Sequence, residues 1–240
     1  MKNIFTKTLL GLALSGLVAG SVFASENNAN KHSGPSSNIA WDVPQILFVK
    51  NGDPERGKQI NTEMMCSACH GKEGIATAKN WPNMAGQKAN YTYKMLIDYR
   101  DEKRVGTETA TLMVRLAKTM TEQQMADIAV YYESLPLPPP SAAKLATKEE
   151  VESILPLLTE GDGKRMLPPC LLCHEKGAKG VERDTPALEG QRAEYFRKTM
   201  QEYKDGTRHN DIYARMRHIA KVLTDEEINA MAQYFAENGN

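Results

Sequence analysis

The chain repeats itself. The segment CSACHGKEGIATAKNWPNMAGQKANYTYK at 66–94 lies over CLLCHEKGAKGVERDTPALEGQRAEYFRK at 170–198 without a gap. Cys66, Cys69, His70, Pro82, Gly86, Gln87 and Lys94 recur 104 residues later as Cys170, Cys173, His174, Pro186, Gly190, Gln191 and Lys198. Farther on, MVRLAKTMTEQQMADIAVYY at 113–132 lies over MRHIAKVLTDEEINAMAQYF at 216–235, offset by 103. Such a duplication restricts the fold to two copies of one module joined by a connector.

Each copy reads as helical. Asp53-Pro54 is a cap followed by proline in the first turn, opening a helix over 53–69. Residues 88–101 carry Tyr91, Met95, Leu96 and Tyr99 at helical spacing. Thr121 to Gln124 is a capping box before Met125, Ile128, Ala129 and Tyr132, and Thr224 to Glu227 is one before Ile228, Met231, Tyr234 and Phe235. Strand-like alternation is absent. The expected fold class is all-α, two tandem modules at 48–136 and 157–240 of about three main helices each, plus long loops. The connector, 137–156, is Pro-rich and begins stiff, with one or two short helical turns around Glu149–Leu155. Pro168 and Pro169 replace Met64 and Met65 of the first copy. They are expected to kink or shorten the first helix of module two and to leave a regular one in module one.

Ahead of the modules, residues 1–24 have the layout of a secretory signal peptide. Lys2 and Lys7 precede an apolar run from Leu9 to Val22, and Val22-Phe23-Ala24 offers a cleavage site near Ala24. Residues 25–47 read as a polar leader, disordered by composition. The protein is therefore expected to be exported, to the periplasm. Thirty basic residues stand against thirty acidic ones, which lacks the excess a nucleic-acid partner would need. Any membrane association is expected only through partners.

Export permits disulfides, but four cysteines in two distant Cys-x-x-Cys pairs are too few to staple the chain. Zinc ribbons place such pairs far closer together. A thioredoxin-like dithiol requires strands. The histidine after each second cysteine selects the remaining chemistry, covalent attachment of haem c. Two thiols one helical turn apart bond the two vinyl groups, and the next residue meets the iron. Cys66, Cys69, Cys170 and Cys173 are thus the expected thioether residues, with His70 and His174 as axial ligands to two haems. A cofactor also answers a packing problem. The His70–Gly86 loop is poor in large apolar groups, and so small a helical module buries little core alone.

The opposite axial positions call for sulfur or nitrogen, and methionine suits electron transfer. Met113 and Met216 are the only methionines that align with each other, and they are the expected ligands. Met120 and Met84 are rivals in module one, and His209 or His218 could replace Met216 in module two. Pro82 and Pro186 could each offer a carbonyl to the ring N–H of the histidine. Tyr91/Tyr195 and Tyr99/Tyr203 align and could reach haem propionates or simply pack.

With WPNMAGQKANYTYK, TPALEGQRAEYFRK, MVRLAKTMTEQQM and MRHIAKVLTDEEI beside the two CxxCH segments, residues 50–240 resemble the dihaem cytochrome c4 family, two class I cytochrome c domains in tandem. The resemblance implies haems facing one another across a pseudo-twofold interface and electron shuttling in the periplasm. Its implied partners are a donor on the quinol–cytochrome c reductase side and a terminal oxidase or reductase as acceptor. The leader and linker are longer than the compact family pattern. That departure keeps open a second reading, the dihaem cytochrome subunit of a dehydrogenase such as a sulfide-oxidising flavocytochrome. A dihaem peroxidase is a third, against which the equivalent methionines speak.

Overall fold

Asp53 opens module one as its sequence implies, its carboxylate accepting from the amides of Glu55 and Arg56 while Pro54 occupies the first turn. The computed structural model describes residues 36–237 apart from 176, 178 and 182. Module one contains α1 (Val43–Lys50), α2 (Pro54–Glu63), α3 (Cys66–His70), α4 (Ala89–Arg100), α5 (Glu108–Ala117) and α6 (Glu122–Ser134). Thr121 and Gln124 close a reciprocal capping box on α6. Helix α4 is buried along most of its length. Ile60, Tyr93, Leu96, Ile97, Met125, Ile128 and Tyr132 join α2, α4 and α6 in one core.

Module two contains α7 (Lys148–Ser153), α8 (Leu155–Thr159), α9 (Cys170–His174), α10 (Ala193–Asp205), α11 (Arg215–Val222) and α12 (Asp225–Glu237). Its core gathers Ile154, Leu158, Phe196, Met200, Ile228, Met231 and Phe235. The connector lies on it. The Ser141 amide donates to the Ala236 carbonyl at 2.8 Å, and Gln233 Oε1 accepts from the amides of Leu145 and Ala146. Among the described residues there is no strand, only an isolated bridge between Asp162 and Leu167.

Three expectations are corrected. The regular helix expected over 53–69 is broken: α2 stops at Glu63, and Met65 takes a left-handed conformation (φ 56°) before α3 begins. Module two is shortened as expected, with Pro169 (φ −56°) directly before α9. Both copies therefore interrupt the chain before the first cysteine, one by a left-handed residue and one by proline. Second, the methionine segments form helices of their own, α5 and α11. Third, residues 36–47, assigned to a disordered leader, are ordered. Ile39–Trp41 form a 3-10 turn and α1 begins at Val43. Ala40 and Val49 are buried, and Phe48 meets Tyr93 edge-on at 6.1 Å. Composition could not anticipate this, because the order comes from packing on α4 and α6. The expected signal peptide and residues 25–35 lie outside the described residues.

The modules meet through their repeated residues. Gln87 donates to the Ala187 carbonyl (3.1 Å) and accepts from the Ala187 amide (2.9 Å). Gln191 does the same with Asn83, at 3.1 and 2.8 Å. Since Ala187 and Asn83 are themselves equivalent positions, the exchange is twofold-symmetric. Gly86 and Gly190 (φ 67° and 69°) precede these glutamines, in a region side-chain-bearing residues avoid. Their amides donate to the carbonyls of Tyr132 and Phe235 at 2.8 Å.

Candidate haem sites

One cavity of about 800 Å³ runs through both modules and is lined by Cys66, Cys69, His70, Cys170, Cys173 and His174. The short helices α3 and α9 place each Cys-x-x-Cys-His on its wall. All four cysteines are free. Burial pushes the Cys66 and Cys170 thiols up to about 11, opposite to the direction a reactive redox thiolate requires.

The proline carbonyls take the role the repeat suggested for them. His70 Nδ1 lies 3.0 Å from the Pro82 carbonyl and His174 Nδ1 lies 2.9 Å from that of Pro186. A carbonyl can only accept, so Nδ1 carries the proton and Nε2 keeps the lone pair a metal needs. Burial holds both imidazoles below the usual histidine range, toward the neutral form.

Met113 on α5 and Met216 on α11 both line the cavity and are half-buried. Met84 and Met120 line it too. Met84 belongs to the loop that orients His70. His218 is exposed at the cavity wall, whereas His209 does not line it. Residues two apart on a helix do not share a face, so α11 cannot turn both Met216 and His218 to one ring.

Two residues that the sequence reading missed decide the fit. Arg104 and Arg208 are buried and line the cavity, and among the described residues neither pairs with a carboxylate. Each reaches across the interface instead. Arg104 donates to Tyr195 Oη (3.1 Å) and Arg208 to Tyr91 Oη (3.0 Å). Each also lies over the tyrosine of its own module, Tyr99 at 4.9 Å and Tyr203 at 4.5 Å. Lys94, by contrast, is neutralised by Asp98. A buried cation without an anion is costly, so two in an apolar cavity call for carboxylates on whatever fills it. A porphyrin with propionates fits that demand. The signal was present in sequence: continuing the 104-residue register past Lys94 pairs Tyr99 with Tyr203 and Arg104 with Arg208.

A histidine held as a neutral donor in an apolar, cation-bearing cavity, and built twice, defines the class: a tandem c-type cytochrome of helical class I modules. The cytochrome c family model matches residues 54–136. The chain is 33% identical over 206 residues to the thiosulfate dehydrogenase electron acceptor of Stutzerimonas stutzeri (strain A1501), covering 82% of this chain and 93% of the relative. It is 33% identical over 196 residues to cytochrome c4 of Thiocapsa roseopersicina, covering 80% and 96%. The crystal structure of reduced recombinant cytochrome c4 from Pseudomonas stutzeri superposes with a TM-score of 0.67 at 28% identity, over 78% of this chain and 98% of that one. The chain belongs to the dihaem cytochrome c4 family. It is an electron-transfer protein rather than an enzyme, and it carries covalently bound haem c in both modules.

Proposed function

We propose that the protein carries single electrons in the periplasm between a dehydrogenase and a downstream oxidase or reductase. In this reading Cys66 and Cys69 bond one haem, which His70 and Met113 ligate. Cys170 and Cys173 bond the other, ligated by His174 and Met216. Haem iron supplies a one-electron couple, and the chain's own part is to fix its ligands and exclude water. The observation that carries the ligand assignment is the repeat itself: Met113 and Met216 are equivalent in the alignment of the two copies, both line the cavity, and no other methionine pair aligns. Exposed Met65 and Leu112 at the wall of module one, and Tyr213 at that of module two, offer apolar rims where partners approach each site.

The kinship with a thiosulfate dehydrogenase electron acceptor favours a dehydrogenase of a reduced sulfur compound as the donor. The test is spectroscopic and kinetic. The oxidised protein should show the near-infrared sulfur-to-iron band of two His/Met sites, and Met113→Ala or Met216→Ala should each remove half of it. Purified thiosulfate dehydrogenase with thiosulfate should reduce the protein rapidly. An unchanged band would sink the ligand assignment, and slow reduction would remove this donor.

A further inference from the structure

The ordered leader does more than pack on module one. Its residue Trp41 crosses to module two, where the indole Nε1 donates to Asp184 Oδ1 at 2.9 Å. The guanidiniums of Arg183 and Arg215 lie over the same ring, at 4.6 and 5.6 Å from its centroid. Asp184 also pairs with Arg215 through its other oxygen. Arg215 is the first residue of α11, and Met216 is the second.

This start of α11 is strained. Tyr213 and Ala214 are consecutive left-handed residues (φ 58° and 56°), a conformation that L-residues hold only when their surroundings impose it. Ile212 is buried beneath this turn, and the Ala214 amide donates to the Asp211 carbonyl at 3.3 Å. Asp211 accepts from the Arg217 amide (3.0 Å) and Nε (2.7 Å). Arg215 Nε donates to the Ile212 carbonyl at 3.1 Å, while its other end is held by Asp184. Asp184 stands two residues before Pro186, whose carbonyl orients His174. One carboxylate thus ties the histidine side of the second site to its methionine side, and Trp41 holds that carboxylate. Among the described residues module one has no such brace. Asn80 and Leu112 occupy the equivalent positions, and Met113 lies inside a helix that starts normally at Glu108 with a Thr107 cap.

We infer that Trp41 is a positioning residue for the second haem site: through Asp184 and Arg215 it fixes the start of the helix that presents Met216. Because Ala40, Phe48 and Val49 root the leader in module one, the leader straps the second site's ligand helix to the first module. This inference rests on Met216 being the iron's ligand.

The test uses the full-length oxidised holoprotein mixed with imidazole, which enters an iron site as its methionine lets go. Two phases are expected, and Met216→Ala assigns module two by replacing its phase with an immediate one. Trp41→Ala should speed the module-two phase about five- to tenfold, the effect of losing about one hydrogen bond, and leave the module-one phase unchanged. Asp184→Asn, which copies Asn80, should give the same acceleration, and the double variant no more than either single one. Trp41→Phe keeps the stacked ring, loses the N–H and should fall between. Equal acceleration of both phases, no acceleration, or additive effects would overturn the role of Trp41. If Met216→Ala leaves the near-infrared band intact, the ligand assignment itself falls. If that band is halved and Trp41→Ala is silent, only the strap falls.

Discussion

Gln87 and Gln191 each use both ends of a side-chain amide to hold the backbone of the opposite module, at Ala187 and Asn83 respectively. No water is needed to complete these bonds, since all four partner groups are buried. Truncating either glutamine therefore strands one buried N–H and one buried C=O of the opposite module, and also frees the part-buried amide of Lys88 or Arg192, from which the same Oε1 accepts at 3.0 and 2.9 Å. At roughly 1–3 kcal/mol per buried group left unpaired, Gln87→Ala or Gln191→Ala should each cost about 2–4 kcal/mol. Urea unfolding of the holoprotein should show the loss as two separated transitions, with each haem spectrum unaltered in native buffer. A single transition shifted by less than about 0.5 kcal/mol would show that the interface does not depend on them.

The adjacent glycines should differ from one another. Both are left-handed, so alanine at either costs roughly 1–2 kcal/mol in backbone energy. At Gly86 an added Cβ meets first the Leu137 Cδ2 at 2.7 Å, the end of a side chain that can turn away, with the backbone Cα of Leu137 next at 3.1 Å. At Gly190 it meets the Pro138 carbonyl oxygen at 2.6 Å, with the proline ring behind it. Gly190→Ala is expected to destabilise by about 1 kcal/mol or more beyond Gly86→Ala, measured by the same urea titration. Equal losses would mean that the Pro138 backbone yields as easily as the Leu137 side chain.

Periodicity, caps and the duplicated CxxCH made the helices and both candidate attachment sites legible, because each is a local pattern. Pro82 and Pro186 were legible through their recurrence. What stayed hidden is tertiary. Met65 carries no propensity for the left-handed turn it makes, and α3 begins there because the packed chain must turn before Cys66. The leader's order comes from Ala40, Phe48 and Val49 finding a surface. Trp41 and Asp184 lie 143 residues apart, beyond any pattern within one module. Arg104 and Arg208 recur in the same register, but they carry no CxxCH, cap or apolar periodicity that would mark them as part of a site.

Acid should probe module one through Asp127, which joins α6 to the start of α2. Its carboxylate accepts from the Asp53 amide (2.8 Å), from Arg56 Nε and Nη2 (2.8 and 2.9 Å) and from Gln123 (2.8 Å). Burial alone would raise its pKa, but the Arg56 guanidinium and these donors outweigh it and hold the group below the ordinary carboxylate value. A depressed folded pKa means stability that is complete above the unfolded value of about 4 and is lost as pH falls through the folded value. Asp127→Asn should therefore cost about 1–2 kcal/mol at neutral pH, a moderate figure because Arg56 is half exposed. The gap between variant and parent should close as pH drops toward about 3. A gap that stays constant across this range would mean that the bond geometry, not the charge, is what matters.

The strongest test of the cavity's chemistry is the pair of guanidiniums that meet no carboxylate among the described residues. If Arg104 and Arg208 balance haem propionates, removing either leaves negative charge unopposed beside the irons and favours the ferric state. Arg104→Leu should then lower reduction potentials by on the order of 1–2 kcal/mol, or about 40–90 mV for one electron. Because both groups reach across the interface to Tyr195 and Tyr91, the loss should fall on both haems rather than one. Arg104→Lys retains the charge and should recover most of the potential while losing the planar contact with Tyr99. Burial predicts little dependence on ionic strength. Spectroelectrochemical titration of the three proteins at low and high salt reads all of this. Potentials that do not move in Arg104→Leu would show that these cations answer to something other than the haem carboxylates.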